Sequence, residues 1–155
     1  MTIININARI IEAEPELFTE LIGLFDAYRV WYGKTSDPEG ARAYPTQRLQ
    51  EQESVIYMAK EEGIALGFTQ LYPLFSSVSM KPLWLLNDLY VAKDHRNQKV
   101  GTALLSTAQA FCKREKGKGL LLETGNDNPA QRLYQRMGWK KNTAFQFFFW
   151  TDEQG

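Results

Sequence analysis

The chain has 155 residues, eighteen basic and eighteen acidic, with one histidine and one cysteine. Such a length suits one domain, here residues 1–155, whose core hides roughly 70% of the surface that the unfolded chain exposes. Zero formal charge offers no basic surplus for nucleic acid, lone Cys112 excludes an intramolecular disulfide, and lone His95 excludes a histidine-rich site, so no metal is expected.

Thr2–Asn7 alternates isoleucines with polar residues, which predicts a first strand. Pro15 suits the first turn of a helix. Leu17, Leu21, Leu24, Phe25 and Tyr28 carry that helix to about Val30. Turn formers fill Gly33–Gly40, and a weaker helix is expected over Glu39–Glu51, interrupted near Pro45. Ser54–Lys60 reads as a strand, Glu61–Gly63 as a hairpin turn and Ile64–Tyr72 as the returning strand. Pro73–Pro82, with three serines, reads as a loop. Leu83–Ala92 is an apolar strand broken only by Asn87 and Asp88.

After a polar turn at Lys93–Lys99, Val100, Leu104, Ala108, Phe111 and Cys112 mark an amphipathic helix to about Lys116. Cys112 reads there as a small buried apolar residue, and His95 in the turn as solvent-exposed. Leu120–Glu123 is a short buried strand. Pro129 opens a last helix that carries Ala130, Leu133, Tyr134 and Met137 and closes at Gly138. Trp139–Thr151, rich in aromatic residues from Phe145 to Trp150, reads as a final strand or strand pair. Hairpin strands followed by a strand–helix–strand crossover predict an α/β or α+β fold, a mixed sheet with helices on both faces. No run of about 18 apolar residues is present to span a membrane. Residues 1–10 lack the pattern of a signal peptide. The expected location is the cytoplasm, with neither membrane nor nucleic acid as partner.

The turn before the long helix is the most informative segment. Val91 to Leu105 joins a buried strand to an amphipathic helix through Arg96, Asn97, Gln98, Lys99, Val100, Gly101, Thr102 and Ala103. The free N–H groups and the dipole of a helix start favour an anion, and Arg96 and Lys99 add positive charge. Gly101 permits close approach of a phosphate. Single-glycine spacing excludes a Walker A loop and a Rossmann fingerprint.

This segment resembles motif A of the GCN5-related N-acetyltransferase (GNAT) family, Arg/Gln-x-x-Gly-x-Gly/Ala, with Arg96 and Gly101 on its first and last positions and Lys99 on its first glycine. A second register, Gln98-x-x-Gly101-x-Ala103, also satisfies the signature. Asn126 to Trp139 resembles motif B of the same family: Ala130, Leu133, Tyr134, Gly138 and Trp139 match in register, while Asp127 stands on the asparagine position with Asn128 beside it.

The resemblance implies a mostly antiparallel central sheet with a splayed strand pair. It implies acetyl-coenzyme A as co-substrate, its pantetheine arm paired with the backbone of Leu89, Tyr90 and Val91 and its pyrophosphate held from Arg96 to Ala103. Asn128, Ala130 and Tyr134 complete the implied cofactor site. A homodimer is also implied, with Phe147–Trp150 as a candidate seal. The implied reaction is direct acetyl transfer to a primary amine, either a small amine or polyamine or a lysine side chain. A non-catalytic acyl-coenzyme A module is the rival reading.

Neutralising a lysine-like amine at pH 7 costs about 4.6 kcal/mol, so the chemistry needs a proton acceptor as well as an acid for the departing thiolate. Tyr134 is the implied acid. Leu86–Val91 resembles the diamine (spermidine/spermine) branch of the family, which has Glu-Asp where Asn87-Asp88 stands here. An amide is no base, and strict strand alternation puts Asp88 on the opposite face from Asn87. Asp88, a water relay, Glu123 and a residue of the first helices stay open for that role. The acceptor pocket is expected between the Tyr28–Tyr32 region, the strand around Trp84 and the final hairpin, with Asp26, Asp37 and Glu39 as acids for a cation.

Overall fold

A computed structural model describes residues 1–152. The amino-terminal isoleucines form strand β1, Thr2–Ile6. Asn7 ends the strand and caps a short helix α1, Ala8–Ala13, by accepting the Arg9 N–H at 3.0 Å. The sequence reading places no helix there, because the proline start signal just downstream overshadows this cap. Helix α2, Pro15–Trp31, buries Leu17, Phe18, Leu21, Ile22, Leu24 and Phe25. Helix α3, Pro38–Gln50, runs straight through Pro45 instead of breaking. Proline forfeits one backbone bond, yet Ala41, Pro45 and Leu49 recur every fourth residue and bury as one stripe, which holds the helix together.

Strands β2 (Val55–Glu61), β3 (Ile64–Ser76) and β4 (Lys81–Val91) follow as an antiparallel meander, with β1 on the free side of β2. Helix α4, Val100–Arg114, leads to strand β5, Leu120–Leu121, which lies parallel to β4. Helix α5 covers Gln131–Arg136. The result is the expected mixed, mostly antiparallel sheet, in the order β1-β2-β3-β4-β5. Alternation along β2 divides two cores. Ile56 and Met58 face α1–α3 together with Ile6 and Phe68. Tyr57 and Ala59 face α4 and α5 together with Leu71, Trp84 and Leu86.

The β3–β4 hairpin is longer than expected, taking in most of Pro73–Pro82. Its prolines sit where no donor is needed. The Trp84 N–H turns toward β5, donating to the Gly119 carbonyl at 3.2 Å. Its partner across the hairpin, Pro73, therefore owes β4 no hydrogen bond, and alternation gives Pro82 the same freedom.

Two departures from a regular sheet position the site. First, Gln70 opposes Asp88 whereas Leu71 opposes Leu86, so Asn87 is an extra residue, a β-bulge. Second, β4 and β5 pair only at Trp84↔Leu120 and Leu85↔Leu121, and β4 continues to Val91 paired with β3 alone. That is the implied splay. The expected final strand pair at Trp139–Thr151 is absent among the described residues; Phe145 and Phe147–Trp150 are 71–85% exposed. Strand propensity acts only where an edge offers pairing and burial, and β5, two residues long, offers little of either.

Gly67 lets β3 close on the far end of β4. A Cβ there would run into the Tyr90 carbonyl oxygen and come within 3.1 Å of the Val91 Cα. Backbone cannot yield as a side chain does, so Gly67→Ala is expected to destabilise the protein by about 1–3 kcal/mol, read as a lowered urea midpoint.

Candidate active site

The bulge at Asn87 reverses the alternation of β4. Trp84 and Leu86 before it, and Leu89 and Val91 after it, all pack on the α4 face. That odd step exists only because one residue is extra. It also overturns the expectation that Asn87 and Asp88 point apart. Both line one cavity of about 400 Å³, with Phe25 and Arg29 of α2, Asp37, Gly40 and Tyr44 at and along α3, and Tyr72 of β3.

Asp88 is only 3% exposed. A buried carboxylate needs donors, and three elements supply them. Gln70 Nε2 donates to its Oδ2 at 2.6 Å, Asn87 Nδ2 donates to its Oδ1 at 3.1 Å, and the Tyr28 hydroxyl faces it from α2. Burial nonetheless outweighs these bonds and lifts the Asp88 carboxyl above its ordinary 3.8. The same amide group of Gln70 donates to the Tyr72 hydroxyl at 3.1 Å, and the Tyr72 and Tyr44 hydroxyls lie 3.0 Å apart. Burial and then the Tyr44 contact push Tyr72 upward, while burial and then the Asp88 charge push Tyr28 upward. Both phenols therefore stay protonated at neutral pH.

Beyond Asp88 the strand has an open side. The Ala92 N–H donates to the Leu66 carbonyl at 2.9 Å. Alternation then turns the backbone groups of Leu89 and Val91 away from β3, toward the gap left by β5. The Val91 carbonyl already accepts from Arg96 Nε at 3.1 Å, and the guanidinium lies 6.0 Å from the rings of both Trp31 and Tyr90. Arg96 thus serves the end of β4 rather than the start of α4.

The turn between them holds Asn97 and Lys99 at φ of 62° and 65°. Lys99 is the N-cap of α4 and makes no side-chain cap. It adopts the left-handed conformation that glycine would take freely, so the turn keeps its shape although the family glycine is missing. The first helical bond runs from the Ala103 N–H to the Lys99 carbonyl at 3.0 Å. Val100, Gly101 and Thr102 are left with N–H groups that have no helical acceptor, concave around the Lys99 bend. Such a cradle fits a pyrophosphate. Gly101 also has a packing use. A Cβ on it would meet Leu133 Cδ2 at 2.9 Å and Val91 Cγ2 at 3.9 Å, so it lets α5 settle against the start of α4. Gln98 braces the turn by donating to the Asp94 carbonyl at 3.1 Å.

That contact carries Tyr134 toward the gap. Its ring lies 6.0 Å from Trp139, and burial, then Tyr32, raise its hydroxyl above the ordinary 10.0. Tyr32 also meets Tyr28 edge-on at 5.0 Å. Asp88 faces Tyr28, Tyr28 meets Tyr32, and Tyr32 lies near enough to Tyr134 to act on its hydroxyl electrostatically. Asn128 accepts the Ala130 N–H at 3.0 Å and shapes the entry to α5.

Several expected pocket residues lie elsewhere. Trp84 packs on Phe111 at 4.9 Å, on the other face of the sheet. Glu39 and Glu123 do not line the cavity. Asp26 is occupied by the Ser36 hydroxyl and the Asp37 N–H, which lower its carboxyl below 3.8. Gln70, Tyr44 and Tyr72 are the residues that the sequence reading misses, whereas Arg29 falls in the expected Tyr28–Tyr32 region. A signal for Gln70 is present: Thr69-Gln70 interrupts one apolar strand as Asn87-Asp88 interrupts the next, and in an antiparallel hairpin the two polar breaks meet.

The profile of the acetyltransferase (GNAT) family matches residues 21–139. The chain belongs to that family. An uncharacterized N-acetyltransferase, YhfO, of Bacillus subtilis is 45% identical over 123 residues, which are 79% of this chain and 83% of that one. A probable acetyltransferase of Haemophilus influenzae is 29% identical over 140 residues, with 82% and 96% covered. The crystal structure of a probable acetyltransferase superposes with a TM-score of 0.88 at 36% identity, covering 99% of both chains. An aminoglycoside N-acetyltransferase in complex with CoA shares the fold, with a TM-score of 0.75 at 18% identity over 98% and 94% of the two chains. As a GNAT protein the chain is an acetyl-coenzyme A-dependent N-acetyltransferase, which decides against the non-catalytic module.

A lysine in the left-handed region costs about 1 kcal/mol. Lys99→Gly is therefore expected to raise the melting temperature by roughly 2–4 °C, measured by calorimetry.

Proposed function

We propose that the chain, as a single acetyltransferase domain, moves an acetyl group from acetyl-coenzyme A to a primary amine by direct attack, with both substrates bound at once. The acceptor is a small amine or polyamine or a lysine side chain. One observation carries this reading. At its bulge, β4 presents a buried carboxylate to a cavity, and immediately beyond, it presents an unpaired backbone edge to the gap beside β5.

Acetyl-coenzyme A brings an acetyl thioester activated for attack. The edge of Leu89, Tyr90 and Val91 suits an extended amide-bearing arm, as an added strand would be held. Val100, Gly101 and Thr102 offer N–H groups to its phosphates, Lys99 offers charge, and Arg96, Asn97, Gln98 and Ala103 shape the turn. Asn128 and Ala130 set the approach of α5. Asp88, with Asn87 orienting it, draws in the ammonium and takes its proton. Tyr134, protonated at neutral pH, returns a proton to the departing thiolate. The complex of a structurally similar aminoglycoside enzyme with CoA supports the choice of co-substrate. We also propose a cytoplasmic homodimer. The exposed Phe147–Trp150 run supports the dimer, and the unpaired, buried Cys112 supports a reducing compartment.

The test is thiol release from acetyl-coenzyme A over a panel of polyamines, amino acids and lysine peptides. Turnover on at least one acceptor is expected; its absence on all of them would sink the reading. Tyr134→Phe should lower kcat about 100-fold with the coenzyme A Kd within about twofold of the parent. An unchanged kcat removes Tyr134 as the acid. Asp88 must be ionised to accept a proton, so kcat/KM should fall as pH drops through its raised pKa. That acid limb lies above 3.8. Asp88→Asn should erase the limb and cost about 100-fold or more in kcat/KM.

A further inference from the structure

The cavity at Asp88 has two unlike walls. The sheet wall, from β3 and β4, ends in an acceptor, the Asp88 carboxylate. The helical wall, from α2 and α3, presents donors. Arg29 Nη1 reaches the Thr35 carbonyl at 3.5 Å and Asp26 Oδ1 at 3.7 Å, both at the outer limit of contact. Its Nε and Nη2 hold no partner among the described residues. Asp26 in turn is bound more closely by the Asp37 N–H, at 2.9 Å, and by the Ser36 hydroxyl.

The hydrogen-bond chain offers a second donor. Gln70 Nε2 donates to both Asp88 and Tyr72. The Tyr72 oxygen is thus an acceptor for Gln70, and it shares a hydrogen bond with the Tyr44 hydroxyl in which either group can donate. Tyr44, 43% exposed, lines the same cavity, and its hydroxyl can donate into it when Tyr72 supplies the proton between them.

The acids beyond Asp88 are engaged with their own backbone. Asp37 Oδ1 caps α3 through the Gly40 N–H at 3.0 Å, and Asp26 holds the loop before it.

We propose that the acceptor is an amine that also carries a carboxylate, a free amino acid or similar small zwitterion, with its ammonium at Asp88 and its carboxylate at Arg29 and Tyr44. This rests on the reading of the cavity as the acceptor site of the acetyltransferase and narrows it. A carboxylate matches the planar donor fork of arginine and an added hydroxyl. A cavity of about 400 Å³ admits a molecule of that size. The acetylated nitrogen then lies beside the open edge of β4, because Asp88 adjoins Leu89. Polyamines and lysine peptides are the disfavoured acceptors.

The test compares matched acceptors on the full chain by thiol release: lysine with cadaverine, phenylalanine with phenethylamine, and each amino acid with its methyl ester. Each free amino acid should exceed its decarboxylated or esterified counterpart at least roughly tenfold in kcat/KM. Arg29→Gln should collapse that ratio toward one, mainly through KM for the amino acid, and Arg29→Lys should restore part of it. Tyr44→Phe should reduce the ratio by a smaller factor. Equal or better turnover of cadaverine, phenethylamine or spermidine overturns the proposal while leaving the acetyltransferase reading intact. So does a ratio that Arg29→Gln leaves untouched. If no acceptor releases thiol, the reaction fails, and calorimetric titration of lysine against cadaverine decides the cavity separately. Binding that requires the carboxylate upholds the proposal, and its absence overturns it.

Discussion

A carboxylate buried to 3% exposure between two strands must be met by donors or be neutralised, and the arrangement around Asp88 follows from that demand. Gln70 is placed opposite it on β3 and gives one hydrogen to Asp88 and one to Tyr72. Tyr72 then engages Tyr44 on α3, which ties the helical layer to the sheet through a polar chain rather than apolar contact alone. Tyr28 closes the other side from α2. One ionisable group thus sets the orientation of side chains from four elements. The same group sits at the point where β4 stops being an ordinary strand.

The two halves of the reaction meet on that strand. Toward the α1–α3 face, β4 offers Asp88 and the cavity. Along its free edge, toward β5, it offers backbone groups of Leu89 and Val91. The bulge accounts for the coincidence, because it aims Asn87 and Asp88 into the cavity while returning Leu89 and Val91 to the α4 core. The series Asp88, Tyr28, Tyr32, Tyr134 runs from the cavity toward α5. Burial raises the phenols of Tyr28 and Tyr134 and keeps them protonated at neutral pH.

Much of this was legible in the residues. The helical spacing of Leu17 to Tyr28, the amphipathic run from Val100 to Cys112 and the basic turn before it state their roles locally, since period and caps act over a few residues. Tyr134 and Gly101 were legible through their spacing within motifs. What was hidden depends on pairing. The Asn87 bulge exists only relative to β3, so alternation read along β4 alone sent Asp88 to the wrong face. Pro73 and Pro82 resemble loop residues until the hairpin register shows that neither owes a donor. Gly101 is suited to phosphate approach, yet the contact that a side chain there would disturb is Leu133. Arg96 carries the charge that an anion site wants, but two aromatic rings and the Val91 carbonyl claim it first. Lys99 shows the reverse case. Its identity departs from the family pattern while its backbone keeps the shape the pattern specifies.

The bulge also determines which changes of length the gene can accept. Losing Asn87 alone would make the step from Leu86 to Leu89 even and leave Leu89 and Val91 in the α4 core, whereas losing one residue beyond the bulge, between Leu89 and Val91, would turn the end of the strand over and send Val91 out of that core. No single substitution compensates for a reversal of parity. The hairpin tip at residues 77–80 lies beyond the paired register, so indels there leave the phase of both strands intact. Natural length variation in this chain should therefore collect at the tip and be purged from β4 beyond the bulge, a pattern set by counting residues rather than by their chemistry.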